Sequence, residues 1–237
     1  CTSTMFYRSR GYSLIELLVA CSLFLVVLAI VFLFFGFGTR AFQTASQRQG
    51  VQSDALRVLD GLQSDLKRSA GSSVTWVSRQ RLVDTQTVKR DAICFAALKD
   101  WSSIHDSDNF DLLTAQPKWN RYWIYYATVN QEMGQMVRLK VDPSPPPIAP
   151  IPLPNVVSLL QDDPQSNNYN GQRPDFSYLA RNVLEFSVQE VSSYEYLIVL
   201  KLRELAPPKP GGGPTRLHET YELRMGVHPE NTYPPKN

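Results

Sequence analysis

Cysteine and histidine, from which disulfide frameworks and many metal centres are built, are scarce in this chain. Its 237 residues include three cysteines and three histidines. They are Cys1, Cys21, Cys94, His105, His218 and His228. The cysteines are odd in number and far apart, and the histidines are scattered. The sequence therefore predicts neither a disulfide framework nor a Cys/His metal site.

An excess of charge of either sign is also lacking. The chain has 24 Lys plus Arg, 22 Asp plus Glu and a formal net charge of +2. Because a dedicated nucleic-acid binder needs a basic stripe, we predict no direct nucleic-acid binding. The aromatic residues of the 119–126 stretch are interpreted as packing residues, since few basic residues lie among them. A hydrophobic content of 43% excludes a wholly disordered chain.

Charge is absent altogether from one long stretch, Leu17 to Thr39. This stretch also lacks proline, and a helix of about 20 apolar residues spans a bilayer, so a transmembrane helix is predicted over residues 12–40. Arg8 and Arg10 precede it, which places the N-terminus in the cytoplasm and the rest of the chain outside. A cleavable secretory signal is disfavoured because its apolar core has only about 7–15 residues. An uncleaved signal anchor stays open.

One acid, Glu16, lies at the start of this apolar run. An acid inside a spanning helix is costly unless it is paired, which makes Glu16 a candidate functional residue. The available cations are Arg8, Arg10 or a new α-amino group made by cutting between Gly11 and Tyr12. Tyr12 would then carry an ammonium four residues before Glu16, which is the spacing of neighbours on a helix.

The stretch RGYSLIELLVA at residues 10–20 resembles the class III leader and N-terminal signature of type IV prepilins and pseudopilins. In that family a membrane-embedded aspartyl peptidase cuts after the glycine and methylates the new N-terminal residue. The resemblance implies a leader of residues 1–11, cleavage between Gly11 and Tyr12, and N-methylation of Tyr12. It also implies a role in assembly for Glu16, the fifth mature residue. Tyr12 stands where the family usually has Phe.

This resemblance implies a structural subunit and not an enzyme. The chain is similar to minor pilins and pseudopilins of type IV pilus, type II secretion or competence filaments, including the J-type pseudopilin and the W-type minor pilin. The implied partners are prepilin peptidase, other pilin subunits, the inner-membrane assembly platform and, before assembly, membrane lipid. The implied location is a single pass through the bacterial inner membrane, followed by a filament. A signal-anchored periplasmic binding or enzymatic domain is the alternative.

A second helical pattern follows the membrane run. Its apolar residues recur at helical spacing and are Val51, Ala55, Val58, Leu59, Leu62 and Leu66. We predict an amphipathic helix over residues 41–70 whose apolar stripe docks on a sheet. Residues 71–237 are expected to form a periplasmic or extracellular β-rich domain. The predicted fold is α+β and pilin-like, with a long N-terminal helix packed on an antiparallel β-rich globular domain.

Alternating apolar and β-branched residues predict the strands of this domain. The predicted strands are 74–77, 92–96, 122–127, 135–141, 183–191, 195–205 and 216–225. The last two are expected to pair across the loop PPKPGGGP at 207–214. The segment PSPPPIAPIPLP at 143–154 is predicted to be an extended polyproline connector on the surface, because proline excludes it from helices and central strands. A segment bound by a proline-recognising partner is the alternative.

Signatures of catalysis are missing from the sequence, since no P-loop, G-x-S-x-G, H-E-x-x-H or C-x-x-C occurs. Oxygen-bearing side chains alternate in residues 105–111, where Asp106, Asp108 and Asp111 are candidate calcium ligands. The stretch lacks the glycine and terminal Glu of an EF-hand loop, so a solvated acidic loop is the alternative. No other cofactor is predicted. Cys94 lies in an apolar strand and is predicted to be a buried small hydrophobe.

Overall fold

The structure is a computed structural model that describes residues 13–99, 109–111, 113, 116–147, 149–203 and 220–231, with Thr44 described in its backbone only. One α-helix, α1, covers Leu14–Lys67. The strands are β1 (Thr75–Val77), β2 (Gln80–Val83), β3 (Gln86–Lys89), β4 (Ala92–Ala97), β5 (Arg121–Ala127), β6 (Gly134–Val141), β7 (Asp175–Ser192), β8 (Glu195–Arg203) and β9 (Thr220–Val227). Short 3-10 helices cover Gly71–Ser73, Val156–Leu159 and Pro164–Ser166.

The chain divides into two compact units, Cys1–Ser46 and Gln47–Asn237, and α1 contributes to both. In the first unit, every described side chain from Ser13 onward is exposed. Helix α1 is long and apolar enough to cross a membrane, and its most apolar window has no buried residue. No proline occurs within α1, so nothing in its sequence forces a break in the helix.

In the second unit, seven antiparallel strands form a sheet in the order β1-β4-β5-β6-β7-β8-β9. The predicted α+β fold is therefore confirmed. The predicted pairing of the last two strands is present between β8 and β9. Strand β7 is longer than predicted, since it begins at Asp175 and not at residue 183. The hairpin of β2 and β3 was not predicted. Residues 204–219, with the loop at 207–214, lie outside the described part of the chain.

The apolar stripe of α1 is buried against this sheet, as the spacing of its residues predicted. Ala55, Val58, Leu59, Leu62 and Leu66 are at most 5% exposed. They share one core with residues of β4, β5 and β8, which include Ile93, Phe95, Tyr125, Ile198 and Leu200. Removing these apolar surfaces from water stabilises the docked helix.

Residues near the C-terminal end of the described chain cap the C-terminus of α1 through hydrogen bonds. The Glu230 backbone N–H donates to the Lys67 carbonyl at 2.8 Å, and the Asn231 side-chain amide donates to the Arg68 carbonyl at 3.3 Å. These bonds satisfy carbonyls that have no partner within the helix. At Gly71, an added Cβ would lie 2.6 Å from Cδ1 of Tyr194. This close approach requires a glycine where the chain leaves α1.

The other face of strands β4 to β6 is also covered, by residues at the end of the proline-rich segment and just after it. Leu153, Val156, Leu159 and Leu160 are buried in a second core with residues of these strands. The predicted connector 143–154 has neither helix nor strand among its described residues. Burial on both faces explains why all six residues of β4 are buried.

One fully buried charge, Arg90, precedes β4 and has 0% exposure. Its guanidinium donates to backbone carbonyls of Thr128 at 2.9 Å, Gln131 at 2.7 Å, Leu184 at 3.4 Å and also Glu132. Burial, together with the nearby charge of Arg81, lowers the pKa of Arg90 to about 10. The carbonyls stabilise a buried cation whose removal from water is costly. The guanidinium thereby fixes the turn between β5 and β6.

Candidate functional site

The first turn of α1 contains Glu16, and its carboxylate closes a hydrogen-bonded ring with Ser13. The Ser13 backbone N–H donates to Glu16 Oε2 at 2.9 Å, and the Ser13 hydroxyl donates to the same oxygen at 3.2 Å. In the other direction, the Glu16 backbone N–H lies 3.3 Å from Ser13 Oγ. Reciprocal bonds of this kind form a capping box, which satisfies backbone N–H groups that a helix start leaves without partners.

Sequence reasoning identified Glu16 but missed Ser13 as its partner. The signal was present, because Ser13-Leu14-Ile15-Glu16 has the S-x-x-E spacing of a capping box immediately before an apolar run. The predicted cleavage residues Gly11 and Tyr12 lie outside the described residues. Glu16 lies two positions after Leu14, the first residue of α1. The pairing of Glu16 with an ammonium at Tyr12 stays a prediction.

The position of Glu16 suits a negative charge. Backbone N–H groups at a helix start carry partial positive charge, which stabilises a carboxylate in the first turn. Its Oε2 atom accepts the two bonds from Ser13. A carboxylate can accept further donors through its second oxygen, so a cation can be added without breaking the capping box.

The hydroxyl groups inside the apolar run are satisfied within the helix. Ser22 Oγ donates to the Val19 carbonyl at 2.8 Å, and Thr39 Oγ1 donates to the Phe35 carbonyl at 2.7 Å. Such bonds let a hydroxyl enter an apolar environment without an external partner. Glu16 is the one ionisable carboxylate in this apolar stretch, and it is the residue there best able to recruit an oppositely charged group.

The predicted calcium ligands are only partly described. Asp106 and Asp108 lie outside the described residues. Asp111 is described, and its carboxylate accepts a hydrogen bond from the Leu113 backbone N–H at 3.0 Å. Within the described ranges, no three or more His, Cys, Asp or Glu side chains are placed to hold a metal ion.

Another acid on α1, Asp65, belongs to the packing of the domain. The Tyr125 hydroxyl donates to Asp65 Oδ2 at 2.5 Å, and Arg138 Nη1 lies 3.7 Å from the same oxygen. Burial raises the pKa of Asp65, although the Tyr125 hydrogen bond and the charges of Arg138 and Arg68 act in the opposite direction. Arg138 also lies over the Trp123 ring, 4.7 Å from its centre. The group joins α1 to β5 and β6 through satisfied polar contacts.

The cysteine and the aromatic residues of the sheet are packing residues, as predicted. Cys94 is 1% exposed, and burial raises the pKa of its thiol, which disfavours the reactive thiolate. Tyr122 and Tyr126 are buried on the second face of the sheet. Their hydroxyls donate to the carbonyls of Ile151 and Gln161, each at 2.8 Å.

Comparison with known proteins identifies the segment around Glu16. Residues 7–32 match the family described as the Prokaryotic N-terminal methylation motif. No curated protein and no solved structure matches this chain. The match covers the Ser13–Glu16 capping box, both predicted cleavage residues and residues 17–32 of the apolar run.

The motif supports the type IV prepilin-like family and indicates a pilin-like or pseudopilin-like protein that is processed by prepilin peptidase. It suggests a structural subunit more than an enzyme, and it implies assembly with other pilins. Together with the apolar first half of α1, it fits a membrane-anchored pilin.

Proposed function

We propose that this chain is a minor pilin or pseudopilin, a structural subunit of a type IV pilus, type II secretion or competence filament. One observation carries the proposal. A single carboxylate, Glu16, is fixed by Ser13 at the start of α1, directly before the uncharged run of residues 17–39 and within the matched methylation motif. An acid at this place is costly in a plain membrane anchor and useful in a subunit that must recruit a cation.

Cleavage between Gly11 and Tyr12 supplies that cation. It removes the leader 1–11 with Arg8 and Arg10, and so removes the basic residues that hold the precursor in the cytoplasmic membrane surface. Tyr12 becomes the N-terminus and carries an ammonium, which N-methylation leaves able to be charged. The ammonium is then within reach of Glu16 in the same chain or in a neighbouring subunit.

Assembly uses this pair to select the correct stagger between helices. Opposite charges attract strongly in a medium of low dielectric constant, and an unpaired charge there is costly. A subunit in the wrong register leaves both groups unpaired, while the correct register pairs them. The exposed apolar side chains of the first unit then pack against neighbouring helices in the filament core.

The remaining features of the proposal concern location and type. The N-terminus lies in the cytoplasm, residues 12–40 span the inner membrane, and residues 71–237 lie outside. The assembly platform receives the processed subunit from the membrane. The size of the outer domain and its order of elements support a large minor subunit of the J-type or W-type, displayed near the filament tip.

The test is the N-terminus of the mature protein. Full-length protein is purified from its native host, and its terminal peptide is mapped by mass spectrometry. We expect the chain to start at Tyr12, with a methyl group on its nitrogen. A functional protein that retains Arg8 and Arg10 would overturn the proposal and favour a signal-anchored periplasmic binding or enzymatic domain.

A further inference from the structure

Three asparagines of the described chain adopt a positive φ, and one of them precedes a glycine. The φ angle is 56° at Asn155, 50° at Asn170 and 59° at Asn182. Asn155 and Asn182 are each followed by valine, whereas Asn170 is followed by Gly171, whose φ is 82°. An asparagine and a glycine that both have positive φ form the two-residue turn of a tight hairpin.

The turn at Asn170 and Gly171 is closed by reciprocal backbone bonds and lies open to solvent. The Tyr169 N–H donates to the Gln172 carbonyl at 2.8 Å, and the Gln172 N–H donates to the Tyr169 carbonyl at 3.0 Å. Asn170 and Gly171 are both exposed. Apart from its neighbours in the chain, an added Cβ on Gly171 would meet no atom within 4 Å. Water can therefore reach both residues of the turn.

An exposed Asn-Gly pair carries its own reactive groups. The backbone nitrogen of Gly171, once it has lost its proton to solvent, can attack Cγ of Asn170. A C–N bond forms and closes a five-membered ring, while the side-chain nitrogen takes up a proton and leaves as ammonia. Water then opens the ring at either carbonyl carbon and gives aspartate or isoaspartate. Glycine has no Cβ to hinder the attack, whereas the branched Cβ of valine shields the nitrogen after Asn155 and Asn182.

One hydrogen bond restrains the attacking nitrogen. The Gly171 N–H donates to Asn168 Oδ1 at 2.8 Å. While this bond lasts, the nitrogen keeps its proton and the turn stays closed. The attack therefore requires a local opening of the turn, and the side chain of Asn168 determines how often this opening occurs.

We propose that Asn170 is a site of spontaneous modification, at which water replaces the side-chain amide by a carboxylate, and that Asn168 sets the rate. The product carries one more negative charge, because such a carboxyl group is ionised at neutral pH. In the isoaspartate form the main chain also gains a methylene, which breaks the pairing of Tyr169 with Gln172. Tyr169 packs against the second core, so its packing loosens as well. The reaction uses only this chain and water and is independent of filament assembly.

The first test follows the three asparagines of positive φ in one sample. Full-length protein in detergent is kept in warm, mildly alkaline buffer, digested at intervals and mapped by mass spectrometry for conversion of amide to acid. We expect conversion to accumulate at position 170 and to stay undetected at positions 155 and 182. Asn170→Gly, which tolerates a positive φ, should abolish the new acidic form of the intact protein. Equal conversion at all three positions would overturn the proposal, as would none at position 170 while a peptide of residues 166–175 is converted.

Two variants of Asn168 test its control of the rate. Asn168→Ala removes the acceptor of the Gly171 N–H, and we expect conversion at position 170 to become about fivefold faster, the effect of one ordinary hydrogen bond on an opening equilibrium. Asn168→Asp keeps an acceptor oxygen and should react as slowly as the wild-type chain. Thermal unfolding should be unchanged in both, because Asn168 is exposed. Equal rates in Asn168→Ala and the wild-type chain would overturn the role of Asn168.

Discussion

The two halves of α1 place their apolar side chains in opposite environments. From Leu14 to Phe42, the large apolar side chains are 39% to 82% exposed, whereas the stripe from Ala55 to Leu66 is at most 5% exposed. Both halves are helical, so the difference lies in the distribution of apolar residues. They surround the first half and occupy one side of the second. A helix that is apolar all round needs lipid or other helices as partners, while a striped helix packs on its own domain.

The largest expected effect is that of replacing Glu16, at the start of the exposed half of α1. Two variants distinguish the role of its charge from its role in the capping box. Glu16→Gln retains an acceptor for the capping box but removes the charge. We expect both Glu16→Gln and Glu16→Ala to be cleaved normally and to lose about tenfold or more of filament incorporation, because the ammonium of Tyr12 lacks its partner. Incorporation is measured as the fraction of subunit in isolated filaments.

Ser22→Ala is the control for these variants, since its hydroxyl bonds only to the Val19 carbonyl of its own helix. We expect it to assemble normally. Normal assembly of Glu16→Gln would show that capping and not charge is the contribution of Glu16.

Leucine truncation in each half tests the contrast directly. Leu62 is 0% exposed and Leu25 is 63% exposed. Leu62→Ala should lower the free energy of unfolding of the domain by about 2–5 kcal/mol through lost burial and a cavity. Leu25→Ala should leave it unchanged. Denaturant unfolding of the full chain in detergent, followed by near-UV circular dichroism, measures both, and equal destabilisation would contradict the contrast.

Ser13→Ala should have a smaller effect, confined to the first turn of α1. Loss of the cap costs about 1 kcal/mol of helix stability, so the amides of Leu14 to Leu17 should exchange with solvent faster in detergent micelles. Ser13→Thr keeps the hydroxyl and serves as control. Unchanged exchange in Ser13→Ala would mean that the capping box does not stabilise the helix start.

The smallest expected effect is a change in pH dependence at Asp65. Burial raises the pKa of Asp65 in the folded protein despite the opposing bonds and charges. The folded state then holds a proton that the unfolded state has released, so stability falls as pH rises from about 3.9 through the raised value. Asp65→Asn should remove this decrease.

Asp142 supplies a control of opposite sign. The pKa of Asp142 is lowered. Burial acts to raise it, but the hydrogen bond and the charge of Arg121 outweigh the effect of burial. Its contribution to stability is present above the unfolded pKa of about 3.9 and is lost as pH falls through the lowered value. Asp142→Asn should therefore lower stability at neutral pH, make little difference in strong acid, and remove the decrease in stability that Asp142 causes as pH falls. Identical pH profiles for the two variants would contradict both assignments.

The parts of the fold that the sequence predicted are those with a repeated pattern. The stripe ending at Leu66 follows the period of a helix, and the strands around Ile124 and Ile198 alternate. The β2–β3 hairpin escaped prediction because its turn residues are Asp84 and Thr85, both with positive φ, in place of the usual Asn-Gly or Asp-Gly pair. Its first strand has one buried residue, Val83.

Residues of the candidate site and the buried Arg90 also differ in whether a local sequence pattern predicts them. Glu16 was predicted because an acid is conspicuous in an uncharged run, and Ser13 had a local spacing signal. Arg90 had no such signal, since charged residues are rarely fully buried. The carbonyls that receive its guanidinium lie about 40 and 94 positions away in sequence, so only the folded chain brings them together.

The hydrogen bonds from Arg81 and Arg90 to the turn between β5 and β6 restrict the length of that turn. Arg90 holds the carbonyls of Thr128, Gln131 and Glu132, while Arg81 donates to the Val129 carbonyl at 2.6 Å. One inserted residue would move these carbonyls out of step with the guanidinium groups and leave a buried cation without acceptors. Surface turns ordinarily tolerate insertions. We expect this turn not to tolerate them, because the buried guanidinium groups need its carbonyls at fixed positions.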